Sequence, residues 1–463
     1  MIKAKLSALQ RGLFFWRHDA LSQRILSGIF TVGALTACVK AVAFGKELIV
    51  ASRFGTSDAM DAFTSAFVIW TFVVTLVAGA MPDAVVPIYA KAKKESINRA
   101  EDLVISSIWI YLGQIILCSL LVLLLGQQII PLFTKEYSPE KQELTLRLFH
   151  HLAPFALLWG MSQFFAALLQ ARKQFKLASL APITIPVVTV IALFGFDRYG
   201  IIALIYGILA GAALHLSLLV FGYFKDSSVL ALFRPRKMWT PDIRLALNTS
   251  WPYLLSGLVM GSVALVDIGM AAWLEPGSVS ALAYAERICA IGLTLAATAT
   301  TEAFFPYLSE LVASEQWARL RKTVIQFTKL ILLVSFGIVA ILYLTSDWLV
   351  ATLFQRQEFT QQDSIRVASI LRWLSFQVPF YIIAVLSARV VCAMLASKII
   401  FVTSCINMVL NVTCNYYFSR LLGVEGIALS TAIVYAISAT MLFSYFVLAS
   451  RRQEQPPKTP PSQ

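Results

Sequence analysis

The chain has 463 residues, of which 58% are hydrophobic and 14% charged, with a formal net charge of +13. So few charges, against roughly 25% in a soluble domain, and a mean hydropathy of +0.75 exclude a soluble globular domain and indicate a polytopic membrane protein. The excess of Lys and Arg does not signal nucleic acid, because it falls in short connections between apolar runs rather than on one soluble face.

Residues 1–24 form a basic, partly amphipathic leader with Lys3, Lys5, Arg11, Arg17 and Arg24. It lacks the short apolar core and cleavage site of a secretory signal, so a retained cytoplasmic leader is expected. Runs of about 20 apolar residues, enough to cross roughly 30 Å of hydrocarbon as a helix, then predict twelve segments. They lie at 25–50, 60–90, 103–126, 148–170, 177–196, 201–224, 245–270, 280–308, 327–350, 367–392, 399–418 and 424–449. Basic residues collect after the even segments: Lys91, Lys93, Lys94 and Arg99; Arg172, Lys173 and Lys176; Lys225, Arg234, Arg236, Lys237 and Arg244; Arg319, Arg321, Lys322 and Lys329; Lys398; Arg451 and Arg452. Odd connections are poor in them or mixed with acids, as at Lys135-Glu136 and Glu140-Lys141. Positive charge marks the cytoplasmic side, so both termini are expected to be cytoplasmic.

The pattern repeats. Asp83-Ala-Val-Val-Pro87 followed by Tyr89 in the second segment matches Glu302-Ala-Phe-Phe-Pro306 followed by Tyr307 in the eighth. Ile202-Ala-Leu204 in the sixth matches Ile427-Ala-Leu429 in the twelfth. The expectation is therefore an all-α membrane protein of two pseudo-symmetric six-helix lobes, 25–224 and 245–450, joined by a cytoplasmic linker at 225–244. A Pro- and Gln-rich tail at 451–463 is expected to be disordered.

Charged residues at membrane depth cost several kcal/mol and usually face a bundle interior or a wet cavity. Lys40, Lys46, Glu47, Asp61 and Asp83 make the stretch 40–87 the expected working surface, with Arg287 and Asp267 as further intramembrane charges. The bland readings are that Lys46 snorkels to the interface or pairs with Glu47, and that Asp61 caps a helix. Cys38, Cys118, Cys289, Cys392, Cys405 and Cys414 show no CxxC pair or adjacent His and are expected to be buried thiols. His150, His151 and His215 show no ligand pattern. No nucleophile–base arrangement or phosphate loop is present, so an enzyme is not expected and no cofactor is implied.

Four passages resemble the MurJ/MviN family of lipid II flippases, within the superfamily that includes polysaccharide flippases and MATE exporters. They are Lys40-Ala-Val-Ala-Phe-Gly-Lys46-Glu with Phe54-Gly55 and Asp61-Ala-Phe63; Val86-Pro87; Ser278-Val-Ser-Ala-Leu-Ala-Tyr-Ala-Glu-Arg287; and Gly426-Ile-Ala-Leu-Ser-Thr431. The resemblance implies a substrate site at Lys40, Lys46, Ala51, Asp61, Ser280 and Arg287, whose cations would meet a diphosphate. Where that family has Arg, Lys40 and Lys46 keep the charge but lose the bidentate fork. It also implies a sodium site at Asp267, Asn407, Asn411, Ile427 and Thr431. The pairs 407/411 and 427/431 each place oxygens on one helix face, and one carboxylate among neutral oxygens suits a hard monovalent cation.

The sequence departs from the resemblance near Val73 and Val74, where an arginine is expected, at Ala290, where a glutamate is expected, and in two further C-terminal helices. The expected function is a monomeric, alternating-access flippase for a polyprenyl-diphosphate-linked saccharide among membrane lipids, driven by a sodium ion or a proton. The departures keep open an O-antigen or exopolysaccharide lipid intermediate as substrate. A MATE-like drug antiporter would need an acidic cavity, and a membrane scaffold would leave the buried charges paired only with each other.

Overall fold

A computed structural model describes the backbone of residues 20–78, 80–225, 239–394 and 396–454, and among these every regular element is helical. In order the helices are α1 (Ala20–Phe54), α2 (Asp58–Ala78), α3 (Ala80–Glu95), α4 (Ile97–Phe133), α5 (Pro139–Ala171), α6 (Phe175–Leu180), α7 (Thr184–Gly195) and α8 (Ile201–Phe224). The second half continues as α9 (Pro241–Ala271), α10 (Ser278–Ala313), α11 (Trp317–Phe354), α12 (Gln361–Ser375), α13 (Gln377–Ala393), α14 (Ser397–Leu422) and α15 (Val424–Glu454). Each expected segment falls on one helix or on two consecutive ones. Most of the leader, linker and tail, and the side chains of Asp83 and Glu302, lie outside the described residues.

Two breaks coincide with proline, which donates no hydrogen bond to the residue four back and so lets a membrane helix bend or restart. Pro182 lies within the 3-10 turn Ala181–Ile183 between α6 and α7, with Pro186 in the first turn of α7, and Pro379 follows Phe376, where α12 and α13 meet at 42°. Nine helices are long and apolar enough to span a membrane among the described residues, ten if the bent α12–α13 pair is one span. The expected count of twelve is therefore not reached by length and composition. Of the segments outside that count, α1 and α10 each include side chains that lie outside the described residues.

The chain forms two compact units, each from separate stretches. The first takes residues 1–49, 81–116 and 154–250. Within it Tyr111 stacks on Phe164 at 5.1 Å. Gly207 and Gly211 on α8, one turn apart, let the backbones of α7 and α8 meet: a Cβ would lie 2.8 Å from Thr189 Cα and 2.6 Å from Ile185 Cα. His215 is buried against the Trp159 ring at 5.6 Å. Arg99 bonds both oxygens of Asp242, each at 2.6 Å, tying α4 to the first turn of α9.

The second unit takes residues 50–80, 117–153 and 251–463. Trp70 is fully buried, stacks on Phe149 at 5.0 Å and donates its indole N–H to the Phe149 carbonyl at 2.8 Å. Leu308, Leu320, Val324, Val390, Leu442 and Phe446 form an apolar cluster across α10, α11, α13 and α15. The six cysteines are free, but only Cys289 is buried, and Cys38 and Cys392 are exposed. The expectation of burial fails because an outward face of a membrane helix meets lipid rather than protein.

Candidate functional site

The second unit holds a buried carboxylate with four donors. Asp61, 1% exposed in the first turn of α2, accepts Ser280 N at 2.8 Å and Ser280 Oγ at 2.7 Å on Oδ1. On Oδ2 it accepts Gly277 N at 2.7 Å and Lys141 Nζ at 2.7 Å. The Gly277 and Ser280 amides are among the unpaired N–H groups at the start of α10, where the helix dipole favours an anion. Asp61 thus caps α10 rather than its own helix, the outcome that a local N-cap reading misses. Lys141 also reaches Asp58 at 2.6 Å, and its ammonium sits 4.2 Å from the Tyr137 ring centre. Tyr137 shares a 2.9 Å hydrogen bond with Ser65. Burial, then the nearby Asp61, holds its phenol well above the ordinary range, so it stays neutral.

Around this clasp the chain is interlocked. Gly277 has φ +84°, and a Cβ there would lie 2.8 Å from Arg366 and 3.0 Å from the Thr56 carbonyl. Gly55 has φ +50° and would place a Cβ 2.4 Å from the Glu358 carbonyl oxygen. Both positions need glycine for the left-handed backbone and for the approach. Glu358 N donates to the Ser52 carbonyl at 3.0 Å, and Tyr284 Oη donates to the Gly55 carbonyl at 3.1 Å. Thr56 donates to Asp363, which also closes a capping box with Thr360 at the start of α12. Behind them Tyr284, Phe354 and Phe359 pack with ring centres 5.5–5.7 Å apart, each no more than 1% exposed.

The turns joined here follow the first, third, seventh and ninth expected segments, all odd. Arg99 to Asp242, Arg172 to the Tyr223 carbonyl at 2.8 Å, and Arg321 to Glu454 at 2.8 Å each join even-numbered connections or the ends beside them. In these bonds odd ends meet odd and even ends meet even, as an alternating path requires.

A second polar cluster lies deeper in the same unit. Asp267 on α9 is buried, and its Oδ1 accepts Asn411 Nδ2 at 2.9 Å and Asn415 Nδ2 at 2.5 Å, both from α14. Ser430 on α15 donates to Asn415 Oδ1 at 2.5 Å. Asn407 donates to Ser438 at 3.1 Å while its own Oδ1 is buried without a partner, and Thr431 donates to the Ile427 carbonyl at 3.1 Å. Glu286 on α10 lies within electrostatic reach of Asp267 and of Arg287.

Of the expected substrate residues, the structure joins Asp61 and Ser280 directly. Ala51 is fully buried in the same unit, and Arg287 stands two turns beyond Ser280 with its guanidinium 5.6 Å from the Tyr284 ring centre. Lys40 and Lys46 belong to the first unit: Lys40 is exposed, and Lys46 pairs with Glu47. Of the expected ion ligands, Asp267 and Asn411 are joined, while Asn407, Ile427 and Thr431 bond elsewhere. Sequence reasoning missed Lys141, Gly277, Asn415 and Ser430. Asn415 continues the 407, 411 spacing by one turn and was legible. Lys141 was hidden in a mixed-charge connection, although Asp58 and Asp61, three apart, called for a cation.

A family model described as "Lipid II flippase MurJ" matches residues 50–458. A probable lipid II flippase MurJ of Rhizobium tropici is 24% identical over 435 residues, covering 90% of this chain and 80% of its own. The corresponding protein of Thermotoga maritima is 26% identical over 399 residues, covering 84% and 79%. Among solved structures, a lipid II flippase MurJ in an inward closed conformation is similar with a TM-score of 0.75 at 22% identity, over 91% of this chain and 90% of its own. An inward-facing MATE family multidrug resistance transporter of the MOP superfamily is similar with a TM-score of 0.75 at 16% identity, over 90% and 95%. These two structural likenesses bear on the fold alone.

Proposed function

Because this chain belongs to the lipid II flippase MurJ family, matching it from residue 50 to 458, we propose that it carries lipid II across the bacterial inner membrane by alternating access. That match is the observation that carries the reading, and it favours lipid II over the other lipid-linked saccharides. The two-lobe division at 25–224 and 245–450, with both termini cytoplasmic, is part of the proposal. With that topology the odd connections lie outside, so the Asp61 clasp closes the outer end of the path.

Lys40, Lys46 and Arg287 are the proposed attractors of the diphosphate. A dianionic head group offsets the charge of each cation that it meets, and the inner end closes once it is held. The outer end opens when the start of α10 leaves Asp61, and Asp61 and Ser280 then become available to the head group. No bond is made or broken in the lipid, so the work is done by charge and by two competing closures.

Reset is assigned to a monovalent cation at Asp267. The orphaned, buried Asn407 oxygen and the single carboxylate fit a hard ion such as sodium. Asn411 now presents its N–H to Asp267, so an ion there requires that amide to turn its oxygen inward. Residues on three helices, α9, α14 and α15, would then share one ligand. The membrane potential adds about 2.3 kcal/mol per charge per 100 mV.

The test supplies this chain to spheroplasts depleted of their own lipid II flippase and adds an enzyme that cleaves lipid II only from outside. Newly made lipid II is expected to become cleavable. Continued protection, with a different lipid-linked saccharide accumulating when this protein is absent from its own host, would overturn the assignment.

A further inference from the structure

We propose that Lys141 is the resident counter-ion of the clasp, and that its positive charge sets the balance between the closed and open outer end. The proposal rests on the flippase reading for its purpose. Lys141 is only 6% exposed, and its ammonium bonds Asp58 at 2.6 Å and Asp61 at 2.7 Å while resting on the Tyr137 ring. An ammonium buried so fully is sustained by its partners, and removing one member of such a group leaves an uncompensated charge in a poorly solvated place.

The distribution of the groups along the chain gives the argument its direction. Asp58, Asp61, Tyr137 and Lys141 all come from α2, α5 and the turn before α5, in the N-terminal half. The other donors to Asp61, Gly277 N, Ser280 N and Ser280 Oγ, come from α10 in the C-terminal half. If α10 withdraws, Asp61 loses three hydrogen bonds at once and keeps its bond to Lys141. The lysine is therefore a positioning residue that belongs to the acid, and α10 is the partner that comes and goes.

In the closed state Asp61 is buried against one ammonium and the positive end of one helix, while Asp58, its side chain 64% exposed, meets the same ammonium from the surface. Without the ammonium, closing buries Asp61 beside a second negative charge with only the helix end to compensate it, whereas opening returns it to water. Loss of the Lys141 charge thus penalises closure specifically. Removing the Asp58 charge as well should undo part of that penalty.

The experiment measures the distance between spin labels at Glu136 and Gln362, both exposed, in the full chain in lipid nanodiscs. One short distance is expected for the unaltered clasp. Lys141→Met and Lys141→Gln should each raise the ratio of long to short distance at least tenfold. Lys141→Arg should bring that ratio back to within about threefold of the parent, and Lys141→Met combined with Asp58→Asn should open less than Lys141→Met alone. Gln can hydrogen-bond but carries no charge, so it separates charge from simple bonding, and it serves if Met at this place fails to fold. Unchanged distances in Lys141→Gln, or opening in the charge-balanced pair as wide as in Lys141→Met, would overturn the proposal. The distances are read without substrate, so failure of the spheroplast assay would reject the flippase reading and leave this result standing.

Discussion

Asp61→Asn preserves shape at the clasp and removes only charge, which makes its cost calculable. Each oxygen of Asp61 receives two donors: Ser280 N and Oγ on Oδ1, Gly277 N and Lys141 Nζ on Oδ2. Whichever position the amide nitrogen takes, one backbone donor of α10, Ser280 N or Gly277 N, then faces a donor, because the Ser280 hydroxyl can turn to accept and the Lys141 contact does not change on opening. A hydrogen bond to a charged group contributes roughly 1.5–3 kcal/mol, so the lost bond costs about that much. Relief of repulsion with Asp58, three residues back on the same helix, returns about 0.5 kcal/mol. A net penalty of about 2 kcal/mol multiplies the open-to-closed ratio by roughly thirtyfold, since about 1.4 kcal/mol is tenfold. Distance measurement between labels at Glu136 and Gln362 reads that ratio. A change below about threefold would mean that Asp61 is not what holds the start of α10, and the account of the outer closure would fail.

Gly277→Ala should weaken the same closure by about 1–3 kcal/mol, because φ +84° strains any side chain and the new methyl meets Arg366 and the Thr56 carbonyl. The label distances check this, and an unchanged ratio would show that the turn can yield. Arg287→Ala is expected to reduce exposure of lipid II in spheroplasts at least tenfold with the thermal unfolding midpoint held, whereas normal exposure would remove Arg287 from the substrate path. Asp267→Asn should abolish any difference in transport between sodium and choline media; a sodium dependence that survives would place the coupling ion elsewhere. Trp70→Phe removes one buried hydrogen bond to the Phe149 carbonyl and should cost about 1–2 kcal/mol of stability, read from denaturant unfolding, without altering the label distances.

Helix positions were legible because crossing a bilayer demands long apolar runs, and α8 at Ile201–Phe224 coincides with its expected segment. The points where helices break were partly legible through Pro182, Pro186 and Pro379. Partners across the fold were not. That Asp61 sits near a helix start is local information, but the helix it caps begins more than two hundred residues later, and no periodicity links them. Lys141 looked like one of several mixed charges in a connection, because its burial depends on α2 lying over it. For Asp267, Asn411 and Asn415 the regular spacing on α14 was visible, while the choice of Asn415 over Asn407 as partner follows from how α9 crosses α14.

The aromatic cluster behind the clasp bears on the energetics of the whole membrane. Tyr284, Phe354 and Phe359 leave water molecules almost nothing to bond, and a file of water is what conducts protons and small ions. On the flippase reading, a passage wide enough for a bulky head group would otherwise leak ions from one side of the membrane to the other. Three close-packed rings, one pair of them stacked, would seal it while the passage faces the other way.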